Sequence, residues 1–150
     1  MRALFDPVFW VRGLWFPALV FLVHYSAGRF HVYALHPDID RPLHFFGGLS
    51  VAFATSEILT GLDKKGLVAI RPGWIVLPVS VSNTALFAIL WEVYEFILNR
   101  VYGVHIQTEL DDTLYDLFLG VAGALAFCVF ALLSRYLARA LRRSTELPTP

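Results

Sequence analysis

Three pairs of ionisable residues stand out in an otherwise apolar chain, and each pair is spaced by about one helical turn. Asp40 and His44 are four apart in Asp-Arg-Pro-Leu-His-Phe-Phe-Gly-Gly. Glu92 and Glu95 are three apart in Trp-Glu-Val-Tyr-Glu, and Asp112 and Asp116 four apart in Asp-Asp-Thr-Leu-Tyr-Asp. Residues three or four apart share a helix face, so both members of a pair can point one way. Carboxylates with one imidazole are donors for a divalent cation (Mg, Mn, Ca, Zn or Fe(II)), and the residue types alone do not discriminate among these. The same groups suit general acid–base chemistry, with His44 and one perturbed Glu as proton carriers. His44, Glu92, Glu95 and Asp116 are therefore the candidate catalytic residues, and with Asp112 they form the candidate metal-ligand set. Asp40, Arg29 and Arg41 are candidates for contact with a substrate, the arginines through an anionic headgroup. The paired Glu-x-x-His motifs of ferritin-like di-iron bundles are absent.

The elements that must position these groups follow from composition. Of 150 residues, 57% are apolar and only 16% charged, with a mean hydropathy of +0.62. Soluble domains run at about 45–50% apolar and about 25% charged, so the expected class is an all-α, polytopic integral membrane protein with one transmembrane domain. Four stretches are long and apolar enough to cross a hydrocarbon core, which takes about 20 helical residues: 14–35, 43–61, 73–98 and 114–134, followed by a basic tail over 135–150. Pro17 is expected in the first turn of its helix and Pro78 in the first turns of the third, where it would bend the span. Residues 1–12 are expected to lie along the interface ahead of a retained first helix. A signal peptide with a cleavage site at Ser26-Ala27-Gly28 fits less well, because its n-region would contain Asp6, Phe9 and Trp10.

Basic residues set the orientation. Placing both termini on one side gathers nine of the twelve Lys and Arg there, leaving Arg29, Arg41 and Arg100 on the other. Both termini and the 62–72 loop are thus expected in the cytoplasm. The opposite face receives Asp38, Asp40, Glu92, Glu95, Glu109, Asp111, Asp112 and Asp116. The second helix starts at that face, the third ends there and the fourth starts there, so all three polar pairs fall at one membrane depth. Intramembrane carboxylates are costly unless paired, protonated or solvated, and normally face a bundle interior.

Plainer readings stand beside this. Asp112 could cap the fourth helix or complement its dipole, and Asp38, Glu109 and Asp111 could be solvated. His24 and His31 read as packing or interfacial residues, Glu57 as a snorkelling group or a partner of Lys64 or Lys65, and Cys128 as a small apolar side chain. Gly47-Gly48 and the run Gly120–Ala126 are surfaces for close helix packing, which would draw the second and fourth spans together near the cluster. Arg135–Arg143 reads as a helix continuing into anionic headgroups.

The layout resembles the YjdF-like bacterial membrane proteins: His-Phe after a short acidic segment, a Glu pair late in the next helix, then Asp-Thr-x-x-Asp before a Gly-Ala-rich helix. It is more distantly similar to the VanZ-like family, associated with glycopeptide-antibiotic resistance, whose pattern has Gln at the position of Glu95 and Asn at that of Asp116. The resemblance spans 38–127 and implies a multi-pass protein of the inner membrane.

Three functions are compatible with these features. One is a His/carboxylate site, with or without a divalent metal, that binds or acts on a lipid, lipid-linked headgroup or other amphiphile. Another is a component of proton- or ion-coupled transport. The third is a structural or accessory subunit, as a homo-oligomer or within a membrane complex. No nucleic-acid partner is expected.

Overall fold

The computed structural model describes residues 6–103 and 110–145, which place Arg2 and Glu109 outside the described residues. Four long helices carry the fold: α1 (Pro7–Arg29), α3 (Asp40–Lys64), α4 (Val76–Tyr102) and α5 (Leu110–Thr145). The single-turn α2 (Val32–Leu35) and a 3-10 turn at Pro37–Ile39 join α1 to α3. No strand occurs among the described residues, and each long helix is long and apolar enough to cross a membrane.

Local chemistry explains where the helices begin and end. Asp6 caps α1 by accepting the Val8 N–H at 3.1 Å, and Pro7 follows at a position where no N–H is needed. The first helix therefore begins ahead of the expected residue 14. Residues 7–12 are its opening turns, and Pro17 lies inside it rather than in its first turn. It closes where His31 turns left-handed at φ 56°, an uncommon conformation for a residue with a Cβ. Gly103 ends α4 in the same region, at φ 64°, returning its N–H to the Asn99 carbonyl at 3.1 Å. Pro78 is the third residue of α4, where the missing N–H costs no helical bond. The acidic residues Asp111 and Asp112 fall in the first turn of α5, complementing its dipole, and the basic stretch after residue 134 continues the same helix.

Helix α3 is the centre of the bundle, packing against α1, α4 and α5. Its buried residues are small: Gly48, Ser50, Ala52, Ala54 and Ser56. The tightest approach is to α5. A Cβ at Gly48 would overlap the backbone of Gly120, and one at Gly123 would overlap the Phe45 carbonyl. Gly47, by contrast, faces open space. Membrane helices lack a hydrophobic drive toward one another, so such backbone contacts and their dispersion energy hold them together. Outward-facing positions on α1, α4 and α5 are large and apolar, among them Leu14, Leu19, Ile89, Leu90, Phe118 and Phe130.

At the end opposite the polar pairs, Lys65 closes α3 onto α1 by donating to Asp6 at 3.1 Å and lying over the Phe9 ring at 4.5 Å. That hydrogen bond holds the Asp6 carboxyl below its ordinary range. A carboxyl whose folded value is depressed adds stability above its unfolded value, and the contribution is lost as pH falls through the folded one. The stability difference between the protein and Asp6→Asn is thus expected to be full at neutral pH and to decline only below about pH 4, where the unfolded carboxyl protonates ahead of the folded one, as read by thermal melts in detergent across that range. Gly48→Leu is expected to cost more than about 1–3 kcal/mol, the usual range for overpacking, while Gly47→Ala stays within about 0.5 kcal/mol. The same melts at neutral pH check both.

Candidate functional site

Each polar pair has at least one member inside the bundle rather than at its rim. His44 is one turn into α3, about 6 Å along the axis from Asp40, and Asp116 is about 9 Å into α5. Glu92 and Glu95 lie about 15 Å and 10 Å before the end of α4. The glycine contact sets their meeting. Gly48 is one turn beyond His44 and Gly120 one turn beyond Asp116, so seating one glycine on the other brings the two polar side chains face to face.

His44 is the hub. Its Nε2 lies 3.6 Å from Oδ2 of Asp40 and 3.8 Å from Oδ2 of Asp116, and its Nδ1 lies 3.9 Å from Oε1 of Glu92. Two overlapping sets result, Asp40–His44–Asp116 and His44–Glu92–Glu95. In each, one ligand atom per residue lies within 4.8 Å of the others. Glu92, Glu95 and Asp116 are buried, at 6%, 4% and 3% exposure. Burial this deep rules out plain hydration as the reason these carboxylates are tolerated. Trp91 donates its indole N–H to Oε1 of Glu95 at 2.8 Å. Oδ1 of Asp116 is buried without a hydrogen-bond partner among the described residues. The ion pairs of Arg41, Lys65 and Arg71 are made with Asp38, Asp6 and Asp63, away from the cluster.

The structure therefore brings together His44, Glu92, Glu95 and Asp116, and adds Asp40 from the first turn of α3. Asp112 is half-buried one turn before Asp116 and joins neither set. Its place in the first turn of α5 accounts for it through the helix dipole. Arg29 is exposed at the end of α1, and Arg41 is exposed, engaged by Asp38 at 3.7 Å and lying 5.8 Å over the Tyr115 ring.

A cavity of about 270 Å³ lies beside the cluster, between α1 and α4 and floored by α3. Its wall is apolar, with Pro17, Val20, Phe21, Leu43, Val51 and Phe87, and His44 reaches it from the cluster. At its polar end His24 stands edge-on to Trp91 at 4.8 Å and shares a 2.6 Å hydrogen bond with the Tyr33 hydroxyl. Phe21 meets the same Trp91 ring at 6.5 Å. Sequence spacing treated His24 as a packing residue and passed over Tyr33 and Trp91 as site residues. His24 does pack, but against the ring that holds Glu95. The available signal was that Trp91 adjoins Glu92 and lies one turn from Glu95.

Residues 10–139 match a family described as predicted membrane protein, DUF2238. The chain belongs to the DUF2238 family. With four apolar helices, this makes it a multi-pass membrane protein. No curated protein and no solved structure matches it. All five clustered residues of this DUF2238 chain, and the cavity beside them, fall within the matched region.

Trp91→Phe keeps the ring but removes the donor to Glu95, and is expected to cost about 1–3 kcal/mol, as for loss of a partner to a buried polar group. Trp91→Phe combined with Glu95→Leu should then cost less than the sum of the two single changes, which a double-mutant cycle by thermal unfolding would read.

Proposed function

We propose that this is an inner-membrane protein with both termini in the cytoplasm, and that it holds a divalent cation at its outer face to bind the headgroup of an amphiphile. The observation that carries the reading is the hub role of His44, which touches carboxylates from three helices and also walls the apolar cavity. One imidazolium does not balance four carboxylates at this depth, so further positive charge is needed. A proton on Oδ1 of Asp116 would be a buried donor lacking a partner, whereas a metal ion takes that oxygen as a ligand. Carboxylates with a single imidazole match the preferences of Mn or Mg and extend to Zn or Fe(II). An ion held by these residues would supply a Lewis-acid contact for a phosphate or carboxylate headgroup, and the cavity between α1 and α4 would take an apolar tail. The YjdF-like resemblance agrees with the placement in the inner membrane.

A proton relay would need polar stations continuing toward the opposite end. Below the cluster, the buried hydroxyls of Ser50, Ser80 and Thr84 donate to carbonyls of their own helices, and Asn83 donates to Thr55. Glu57 is exposed rather than buried in the core. These contacts favour a closed site over a path.

Purified protein titrated with Mn²⁺ and followed by electron paramagnetic resonance is expected to bind the ion saturably. Glu92→Gln should weaken binding by roughly tenfold or more, within the range seen when support around a metal is lost. Affinity should also fall on acidification, because His44 and the carboxylates must be deprotonated to coordinate. Absence of saturable binding, or unchanged affinity in the variant, overturns the proposal.

A further inference from the structure

The second large concavity lies at the other end of the bundle. Helix α5 has 36 residues and α3 has 25, lengths of about 54 Å and 38 Å. Cys128 marks the level at which α4 begins, since its Sγ lies 3.7 Å from the Leu77 carbonyl. The remainder of α5 runs on past that level by about 25 Å. In the angle between this projecting segment and the α3–α4 connection is a cleft of about 680 Å³. Thr60 and Asp63 line it from α3, Trp74 from the connection, and Arg135, Tyr136 and Arg139 from α5.

Charge in this cleft is uneven. Asp63 is already engaged, by the Arg71 guanidinium at 3.0 Å and the Ile70 N–H at 3.1 Å. Arg135 and Arg139 are one turn apart on one face of α5 and show no carboxylate partner among the described residues. Trp74 and Tyr136 stand largely exposed at the cleft, as aromatic side chains do at headgroup depth. Two guanidinium groups at an aromatic-bordered concavity suit tetrahedral oxyanions, because each offers paired donors to neighbouring oxygens.

We propose that this cleft binds a phosphate group through Arg135 and Arg139, separately from the His44 centre. The group is either the anionic headgroup of a membrane lipid or a free phosphate. The test is titration of the detergent-solubilised full chain with short-chain phosphatidylglycerol, short-chain phosphatidylcholine and inorganic phosphate, read by native mass spectrometry and calorimetry. Saturable binding of phosphatidylglycerol but not inorganic phosphate assigns the lipid headgroup, and saturable binding of inorganic phosphate assigns the free anion. In either case the double variant Arg135→Gln/Arg139→Gln should lose about tenfold to thirtyfold in affinity, the scale expected for two basic residues at a membrane surface. Thr60→Glu, which places a negative charge on the facing wall, should weaken binding in the same direction. Arg142→Gln/Arg143→Gln removes equal charge beyond the cleft and should stay near the parent affinity. Equal loss in both arginine double variants, equal binding of phosphatidylcholine, or no saturable binding of either anion overturns the proposal.

Discussion

The backbone contact between α3 and α5 is the constraint on which the site depends. Gly48 and Gly120 touch without side chains between them, and Gly123 seats against Phe45. Each glycine of the first contact lies one turn from an ionisable residue, so the distance between backbones becomes the distance between His44 and Asp116. Any added carbon would part the helices and widen the cluster. The same contact frees the opposite faces of α3 for α1 and α4, and that leaves it as the element through which the long helices meet.

Packing and chemistry are coupled through burial. Three carboxylates below a tenth exposed would strongly oppose assembly of this bundle if each stood alone. Part of that cost is offset by His44, which lies beside Glu92 and Asp116, and by Trp91, which donates to Glu95 from the same helix. Trp91 also receives Phe21 and His24 from α1, so the helix that closes the apolar cavity is fixed by the ring that orients Glu95. The polar centre and the apolar slot thus share residues, so neither can shift without the other.

The two ends of the bundle differ in kind. At one, acids are held inside the helices by tertiary contacts. At the other, basic residues stand outside on an overhanging helix, and the acids there have basic partners: Asp6 in Lys65 across the α1–α3 contact, and Asp63 in Arg71 eight residues on. Buried charge needs a partner of fixed geometry, whereas exposed charge is solvated and free to meet a ligand.

Much of this was legible in the residues themselves. Hydropathy marks four spans because only a continuous helical run satisfies its backbone in lipid. Turn spacing groups the pairs, and span direction puts them at one depth. Small residues at Gly48 and Gly120–Ala126 mark the close helix face. Boundaries were less legible: α1 opens at an Asp6 cap and α5 at Leu110, ahead of the expected starts, features that an apolar-run criterion overlooks, whereas the turn spacing of the arginines did mark the continuation of α5. Pattern alone also could not separate Asp40 from Asp112, each a turn before a clustered residue, or Gly47 from Gly48. Those choices depend on the rotation of each helix about its axis, which is set by how neighbouring side chains interlock. The sequence by itself determined four membrane helices and the level at which their ionisable groups lie. Only the tertiary structure decided which groups meet, because a shared depth fixes the height of a side chain and not the direction it faces.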